Sequence, residues 1–356
     1  MTLLLRPHEV QGVISMREAI EAVEIGFKDW GRNPLLNAPR RRVFVPSGVR
    51  TSVHQAGVPD LEVTGLLVHC EQLNETPEEQ IQEGIAPHVG VLYSTKDASL
   101  LAVIIGEVTA REVPGRATAL RTAATSAVGT KFLARVNSSS VGILGSGVQA
   151  KNHLVALSLV RSVTRGKVYS RNRENRELFA ESMGRMLGID IRAVGSAEEA
   201  VKDSDIVLCA TNSSIPVLDG NWLDPGMHVI SIVGSNVGLV EAGLRRTKRR
   251  ELDDATIRRA DLIVVNSVQQ VKQDEQADIF DPVAAGIKTW NEIYELGQLL
   301  SGEIPGRTND RQITLLKNNA GQGVADVAIL AKVYQIAKDR KLGIEIPTTV
   351  LGWAAR

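Results

Sequence analysis

A short glycine-rich segment has the residue types that phosphate binding requires. Residues 141–150 read Val-Gly-Ile-Leu-Gly-Ser-Gly-Val-Gln-Ala, which fits the pattern G-x-G-x-x-A between a predicted strand and a predicted helix. Gly145 permits a tight turn, Gly147 lets the backbone approach a diphosphate, and Ala150 lets the helix pack close to the strand. The free amides at the start of that helix attract phosphate. In this context the motif predicts a dinucleotide site rather than a plain glycine-rich turn.

The end of the second predicted strand bears on the choice of nucleotide. An acidic residue at this position usually binds the ribose 2′-hydroxyl of NAD. This chain has Ser170 there instead, followed by Arg171 and Arg173. A guanidinium suits a 2′-phosphate because its planar donor fork matches the phosphate oxygens. The sequence therefore favours NADP(H), with NAD(H) possible; the alternative is that these arginines only form the solvated start of a helix.

The elements that must position these residues alternate through the middle of the chain. Strands are predicted at 141–144, 167–170, 191–194, 205–210, 227–233 and 262–265, and helices at 148–160, 173–187 and 196–202. Short, continuously apolar strands separated by helices are typical of a parallel sheet covered on both faces. The middle of the chain is therefore predicted to be a doubly wound α/β unit.

The N-terminal part has a different pattern. Ser15 and Glu18 form a capping box before an apolar stripe that predicts a helix over 16–30. Strands are predicted at 43–45 and 66–69, a loop at 72–87, and a hairpin from 89–93 and 100–105. Further helices are predicted at 118–135 and 323–338. The first hundred or so residues are therefore expected to form an α+β domain.

The composition narrows the classes of function. The 356 residues carry 41 basic and 41 acidic side chains, and only 4% of them are aromatic, so a nucleic-acid partner is not expected. The apolar stretch at the start is too short for a signal peptide or a membrane span. The two cysteines, Cys70 and Cys209, suggest reduced thiols and a cytoplasmic protein. No metal site is expected.

Four separated segments of the chain resemble the ornithine cyclodeaminase/μ-crystallin family. They are residues 42–46 (RVFVP), 120–124 (LRTAA) running on to 129–133 (GTKFL), 142–150 (GILGSGVQA) and 224–230 (DPGMHVI). The resemblance implies a homodimer in which a Rossmann domain, 121–320, is inserted into an α+β substrate and dimerisation domain made of 1–120 and 321–356. Members of the family act on small amino acids, their imines or 2-oxo acids, or mainly bind cofactor.

The resemblance also implies roles for single residues. Arg42 and Arg121 match arginines that hold the substrate carboxylate, and such contacts are bidentate and charge-assisted. From sequence alone, Arg42 reads as part of a solvated basic run, Arg40 to Arg42, and Arg121 as an exposed helix residue. The residues expected to contact the cofactor are Thr122, Gly145, Ser146, Gly147, Val148, Gln149, Ser170, Arg171, Asn172, Ala210, Thr211, Gly234 and Ser235.

Two departures from the family pattern concern the reaction. The family lysine is missing from residues 64–70, where Gly65 or Leu67 takes its place and His69 is the nearby residue able to donate a proton. Asn236 stands where cyclodeaminases have an aspartate, and a neutral amide cannot act as a general base. His69 and Asn236 are therefore candidates for the reacting centre; the alternatives are a core histidine and a turn asparagine.

Two further stretches, 106–117 and 237–250, are longer than usual in the family, and the basic residues of the second favour solvated surface over a lid.

The preferred function is NAD(P)H-dependent reduction of a small 2-imino or ketimine acid to an L-amino acid, or the reverse oxidation. One alternative is a cyclodeaminase-like lyase that recycles NAD, with Glu241 as a weak acid–base candidate. The other is a protein that binds NADPH without turnover.

Overall fold

The structure is a computed structural model that describes residues 1–73, 82–113, 115, 117–318 and 321–348. Two separate sheets organise the described chain. Strands from the N-terminal third, joined by one from the C-terminal segment, form the first sheet, and strands from the middle of the chain form the second.

The first sheet is mixed. Its strands are Thr2–Leu5 (β1), Arg41–Phe44 (β2), Val49–Val58 (β3), Val63–Leu73 (β4), Gln82–Ile85 (β5), Val89–Ser94 (β6), Leu100–Ile105 (β7) and Ile344–Ile346 (β16). They lie in the order β16-β1-β7-β6-β4-β3-β2, and β5 pairs with β4. The predicted loop over 72–87 is wrong at 72–73 and 82–85, because those residues lie in β4 and β5; residues 74–81 of that prediction lie outside the described ranges.

The second sheet is parallel throughout. Its strands are Ser140–Leu144 (β8), Arg165–Tyr169 (β9), Asp190–Ala193 (β10), Ile206–Cys209 (β11), His228–Ser231 (β12), Leu262–Val265 (β13), Ile293–Glu295 (β14) and Thr314–Lys317 (β15). Their order is β10-β9-β8-β11-β12-β15-β13-β14. The chain winds away from the β8–β11 pair in both directions, so a crevice is expected at the carboxyl ends of these two strands. The predicted doubly wound Rossmann sheet is confirmed.

The helices cover both sheets. They are Pro7–Val10 (α1), Met16–Arg32 (α2), Ala117–Leu133 (α3), Val148–Val160 (α4), Arg173–Leu187 (α5), Ala197–Val201 (α6), Val237–Glu241 (α7), Asp254–Arg259 (α8), Val268–Asp274 (α9), Ala277–Ala284 (α10), Leu296–Ser301 (α11) and Gly323–Arg340 (α12). All six predicted helices are present to within a few residues. The sequence did not predict α1 or α7 to α11.

Three long helices, α2, α3 and α12, connect the first sheet to the second through their packing contacts. α12 packs on β3, β4 and α2, and α3 packs on α2, α4 and β15. The predicted domain boundary after residue 120 falls within α3, so this division of the chain stays a prediction. None of the helices in the described ranges has the length and apolar character needed to cross a bilayer.

Candidate active site

The turn between β8 and α4 has the geometry that diphosphate binding needs. Gly145 has φ +112°, and a Cβ there would lie 2.3 Å from the carbonyl oxygen of Ala210, so only glycine fits. Gly147 is the N-cap of α4, and a Cβ there would meet no atom within 4 Å. Because no side chain in the described structure caps α4, its first amides are available to a phosphate.

A cleft of about 1220 Å³ opens at this turn. Ten of the thirteen predicted cofactor residues line it, namely Gly145, Ser146, Gly147, Val148, Gln149, Ser170, Arg171, Asn172, Ala210 and Thr211. Open space beyond Gly147 and free amides at a helix start are the features that a dinucleotide diphosphate requires. The residues present therefore fit a nicotinamide dinucleotide.

The far end of the cleft is polar and carries no carboxylate at the end of β9. Ser146 Oγ donates to Ser170 Oγ at 2.9 Å, and Ser170 Oγ donates to the carbonyl oxygen of Asn172 at 3.1 Å. Asn172 caps α5 by accepting from the amide of Asn175 at 2.9 Å. Arg171 lines the cleft, whereas Arg173 pairs with Glu177 at 2.7 Å. Of the two arginines predicted for the 2′-phosphate, Arg171 is therefore the one placed at the cleft.

The segment 237–250 is only in part the solvated basic surface that its sequence favoured, because Arg246 is exposed but Arg245 is not. Arg245 is only 8% exposed, lines the nucleotide cleft and donates to Ser214 Oγ at 3.1 Å. Leu239 and Leu244 pack with Leu73 of β4, and the ring of Phe44 on β2 covers them. The prediction is wrong for Arg245, because these leucines pack against the first sheet and bring that part of the segment's charge inside.

Side chains from the neighbouring strands β2, β3 and β4 form a row across the first sheet, next to the second sheet. Arg42 on β2 lies opposite Ser52 on β3, and Ser52 lies opposite His69 on β4. Residues that lie opposite each other in antiparallel strands share a face of the sheet. The ring of His88, just before β6, continues the row with its centroid 5.1 Å from that of His69. We call Arg42, Ser52 and His69 the Arg42 row.

Asp274 at the end of α9 fixes the first arginine of the row. Its Oδ1 lies 2.8 Å from Nη1 of Arg42, and its Oδ2 lies 2.5 Å from Nη2 of Arg40. Burial and repulsion from Arg40 lower the pKa of Arg42 to about 9, although the attraction to Asp274 raises it. The interpretation of residues 40–42 as a solvated run is therefore wrong for Arg40 and Arg42, because strand alternation turns both toward the interior.

Asp326 on α12 holds the second predicted arginine. Its Oδ2 lies 3.2 Å from Nη1 of Arg121 on α3 and 2.6 Å from Nδ1 of His54 on β3. Burial lowers the pKa of His54 to about 3, so the ring is neutral and Nδ1–H donates to the carboxylate. Burial raises the pKa of Asp326, but Arg121 and His54 lower it further, and the group is ionised. Arg121 is thus buried rather than exposed on its helix.

Several polar atoms on this face have no hydrogen-bond partner among the described residues. They are Ser52 Oγ, His69 Nδ1, His88 Nδ1 and Arg121 Nε, all buried. The nearest carboxylate oxygen to His69 Nδ1 belongs to Glu71, and 3.6 Å is too long for a hydrogen bond. Buried polar groups are normally paired, so these atoms indicate a polar ligand. No group of three or more described His, Cys, Asp or Glu side chains is placed to hold a metal ion.

There is little space at either position that can correspond to the missing family lysine, Gly65 or Leu67. A Cβ on Gly65 would lie 2.1 Å from the carbonyl oxygen of Val91, so no side chain fits there. Leu67 borders a cavity of about 20 Å³ together with His88, Arg121 and Asp326. That volume holds about one water molecule. His69 is therefore the titratable side chain of β4 that shares a row with Arg42.

The remaining predicted residues lie outside the cleft lining. Asn236 caps α7, accepting from the amide of Gly238 at 2.9 Å, while its Nδ2 is buried without a partner in the described ranges. The hydroxyl of Ser235 is likewise buried and unpaired there, and Gly234 leaves open space where a side chain would lie. Thr122 is buried within α3 and donates to the carbonyl oxygen of Thr118. Contacts of these four residues with cofactor or substrate stay predictions.

Sequence reasoning missed a buried network under the ends of β11 and β12. Lys317 Nζ lies 2.7 Å from Asp278 Oδ2 and 3.0 Å from Ser231 Oγ, and both charged side chains are inaccessible to solvent. Glu251 Oε2 accepts from Ser231 Oγ and from the amide of Val233, and its Oε1 accepts from the amide of Thr211. The network fixes the loops that follow both strands. A lysine directly after the strand-like run 313–316 (ITLL) was the available signal.

This fold and site define a class: a Rossmann protein with a dinucleotide cleft beside two carboxylate-held arginines. A model of the ornithine cyclodeaminase/mu-crystallin family matches residues 1–341. The chain belongs to this family.

Individual relatives match along most of the chain. A Delta(1)-pyrroline-2-carboxylate reductase of Bacillus cereus is 28% identical over 347 residues, covering 97% of this chain and 99% of the relative. The ketimine reductase mu-crystallin of Rattus norvegicus is 32% identical over 249 residues, covering 68% of this chain and 67% of the relative. The solved Delta(1)-pyrroline-2-carboxylate reductase of Thermococcus litoralis, in complex with NADH and L-proline, is 31% identical with a TM-score of 0.80, covering 97% of this chain and all of that one.

Proposed function

We propose that the protein reduces a small 2-imino or cyclic ketimine acid to an L-amino acid with NAD(P)H, or catalyses the reverse oxidation. The observation that carries this proposal is the set of buried polar atoms, in the Arg42 row and on His88 and Arg121, that have no hydrogen-bond partner among the described residues. The names of the relatives, which include pyrroline-2-carboxylate and ketimine reductases, support the same class of reaction. In the balanced reaction, imine, NAD(P)H and one proton give amine and NAD(P)⁺.

The chain's own residues supply binding, orientation and a proton. Arg121 and Arg42 grip the carboxylate, and each is held in place by an ionised side chain, Asp326 or Asp274. Fixed guanidiniums limit the poses in which the imine carbon can sit, which lowers the entropic part of the barrier. When bound, the nicotinamide supplies the hydride for the new C–H bond.

Proton delivery falls to the groups nearest the imine nitrogen. His69 stands in the same row as Arg42, and its Nδ1 has no partner among the described residues. Asn236 offers an Nδ2–H group, without a partner in the described ranges, that can orient a water or the substrate but cannot be a general acid. We therefore assign the proton to His69, directly or through a water, and an orienting contact to Asn236.

We propose NADP(H) as the preferred cofactor, with NAD(H) also bound. Arg171 at the cleft, Ser170 in place of a carboxylate and the Asn172 cap support this choice. NADH in the T. litoralis structure supports a nicotinamide cofactor in general.

We further propose a homodimer in the cytoplasm, with residues 1–120 and 321–356 forming the substrate and dimerisation domain. The resemblance to the family is the basis for the dimer and the domain division, and the two cysteines, Cys70 and Cys209, are the basis for the cytoplasm. The edge strand β2 and the turn before it expose Leu35 and Val43, 91% and 63% accessible, which supports an interface on that side. Light scattering of the purified protein tests the dimer, with a monomer mass as the contradicting result.

The function is tested by following NADPH and NADH at 340 nm. The screen offers cyclic imino acids, 2-oxo acids with ammonia or methylamine, and ornithine. We expect oxidation of reduced cofactor with imines and none with the same 2-oxo acids alone. Ammonia release from ornithine without net cofactor change would instead establish the lyase. Tight NADPH binding without turnover on the whole panel would establish a binding protein.

A further inference from the structure

Arg245 is a buried cation in the wall of the nucleotide cleft. It belongs to the segment 237–250, which follows β12, and not to the glycine turn or to the loop after β9. Only 8% of the residue is exposed, and it is nevertheless part of the cleft lining. Because a guanidinium is well suited to bind phosphate, its position makes Arg245 a candidate for direct contact with the cofactor.

Two nitrogen atoms of this guanidinium differ in their surroundings. Nη1 of Arg245 donates to Ser214 Oγ at 3.1 Å, which fixes the side chain against the loop after β11. Nε is buried and has no hydrogen-bond partner among the described residues. Buried polar groups are normally paired, so Nε indicates an acceptor that the described part of the chain does not supply.

Backbone hydrogen bonds hold the segment around Arg245 in place. The amide of Arg245 donates to the carbonyl oxygen of Leu239 at 3.0 Å, and Leu239 packs against β4. Nearer the end of the segment, the amide of Arg250 donates to the carbonyl oxygen of Ser213 at 3.1 Å. The segment is thereby tied to the loop that contains Ser214. Arg245 is therefore positioned without a ligand, which reduces the entropy that binding would cost.

The strand order places Arg245 and Arg171 on opposite sides of the glycine turn. β9 and β11 lie on either side of β8, and the turn that begins at Gly145 follows β8. Arg171 follows β9, whereas Ser214, which accepts from Arg245, follows β11. Thr211 connects this second side to the turn, because a Cβ on Gly145 would lie 3.4 Å from Thr211 Cγ2.

A dinucleotide that lies across the crevice meets these two sides with different groups. In a doubly wound sheet the diphosphate binds at the turn after the first strand, here β8, and the adenosine ribose lies toward the end of the second strand, here β9. The nicotinamide half extends to the other side, and it carries no phosphate besides the diphosphate. On the β11 side, the diphosphate is therefore the anionic part of the cofactor that a cation can bind.

We propose that Arg245 binds the diphosphate of the cofactor, together with the free amides at the start of α4. Its guanidinium adds a full positive charge to a helix start that offers only a partial one. This inference rests on the nicotinamide cofactor of the proposed function and adds to it a residue from outside the glycine motif. Arg171 and Arg245 then bind different phosphates of one molecule.

Calorimetric titration with NADH and NADPH, without substrate, tests the assignment. Arg245→Gln should raise the Kd of both cofactors by a similar factor, about 10- to 100-fold, because a charge-assisted contact to the group they share is lost. Arg245→Lys keeps the charge without the planar fork and should raise both values by a smaller factor, about 3- to 10-fold. Unchanged Kd values in both variants would overturn the inference. A loss confined to NADPH would place Arg245 at the 2′-phosphate and overturn it as well.

Two further variants distinguish a direct contact from a structural effect. Ser214→Ala removes the hydrogen bond to Arg245 and keeps the cation, so its Kd values should stay within about threefold of the wild type. A loss as large as that of Arg245→Gln would show that the effect comes from the loop and not from the charge. Lys248→Gln is the matched control for charge, because Lys248 Nζ pairs with Asp281 at 2.5 Å and the residue does not line the cleft. An equal loss in this variant would also contradict the assignment.

Binding without substrate also separates this inference from the proposed reaction. If the affinity for NADH and NADPH depends on Arg245 but no imine is reduced, the diphosphate contact is supported and only the reaction fails. If Arg245→Gln reduces imines and binds both cofactors with normal affinity, the reaction stands and the contact is overturned.

Discussion

Asp326 and Arg121 form a buried ion pair between α12 and α3, with Oδ2 3.2 Å from Nη1. Nε of the same guanidinium has no partner in the described structure, so one edge of the fork is held while another remains available to a ligand. Because one edge of its guanidinium is held and another can bind a ligand, we expect Arg121 to determine most directly how the substrate carboxylate binds.

Arg121→Lys keeps the charge and removes the planar fork. Because a bidentate, charge-assisted contact is lost, we expect KM for the imino acid to rise about 10- to 100-fold. The Kd of NADPH should change less than threefold, since Arg121 does not line the nucleotide cleft. Steady-state kinetics and fluorescence titration measure the two. Arg161→Lys is the control, because Arg161 is a partly buried arginine that caps carbonyls at the end of α3; equal KM effects in both variants would refute the role.

The two glycines of the turn predict opposite phenotypes. Gly147→Ala should cost less than about 1 kcal/mol in the free energy of unfolding, because the added Cβ meets no protein atom within 4 Å. The same methyl group occupies the approach to α4, so NADPH affinity should fall at least about tenfold.

Gly145→Ala is the matched comparison for that variant. Its Cβ would collide with the Ala210 carbonyl at φ +112°, so it should lose about 1–3 kcal/mol of stability. Urea unfolding and calorimetry of NADPH binding give both quantities. Full NADPH affinity in a folded Gly147→Ala protein would contradict diphosphate binding at this turn.

Substitutions of Arg171 and Arg173 distinguish the two interpretations of the basic pair after β9, namely a site for the 2′-phosphate and the solvated start of a helix. Arg171→Gln should raise KM for NADPH about tenfold and leave KM for NADH unchanged, since a charge-assisted contact to the 2′-phosphate is lost. Arg173→Gln should leave both unchanged, because Arg173 pairs with Glu177 instead. The ratio of kcat/KM values for the two cofactors is the measurement. If the two variants behave alike, the choice of NADP(H) loses its basis.

Three buried histidines make stability depend on pH. Burial lowers the pKa of His54 and His228 to about 3 and that of His153 to about 4. The unfolded chain binds protons near pH 6.5, whereas these folded groups stay neutral, so the free energy of unfolding falls as the pH falls from about 6.5 toward 4. Each histidine contributes a slope of up to about 1.4 kcal/mol per pH unit.

Urea unfolding between pH 7.5 and 5 isolates this effect from carboxylate titration. His153→Gln should reduce the slope by at most about a third, because one of these three groups is removed and His88, whose pKa burial also lowers, adds to the slope. The substitution should itself be destabilising, because His153 contacts Ser126 Oγ and the carbonyl oxygen of Gln149, so the slope and not the absolute value is compared. A stability that does not change over this range would show that the three rings are protonated in the folded protein.

The sequence predictions that the structure confirms depend on short, local sequence patterns. β8, the glycine turn and α4 depend on residues within a short window, so their signal is complete in the sequence. The direction of Arg40 and Arg42 depends on Asp274, more than 230 residues away, and the setting of Arg121 depends on Asp326, about 200 residues away. No short-range pattern marks such pairs. The resemblance to the family placed Arg42 and Arg121 at the site, but not their partners.

The sequence did not predict the buried position of Lys317, because its partner Asp278 is also distant along the chain. Its ion pair with Asp278 is inaccessible to solvent, and the same carboxylate accepts from the amide of Glu251. Lys317→Met leaves Asp278 buried without its countercharge, so we expect a loss of about 3–5 kcal/mol in the free energy of unfolding. Asp278→Asn alone leaves the lysine uncompensated and should also be costly. In the double variant neither charge remains, and the combined loss should fall short of the sum by about 1–3 kcal/mol. Denaturant unfolding of the four proteins gives this coupling; strict additivity would mean that the two groups do not interact as a buried pair.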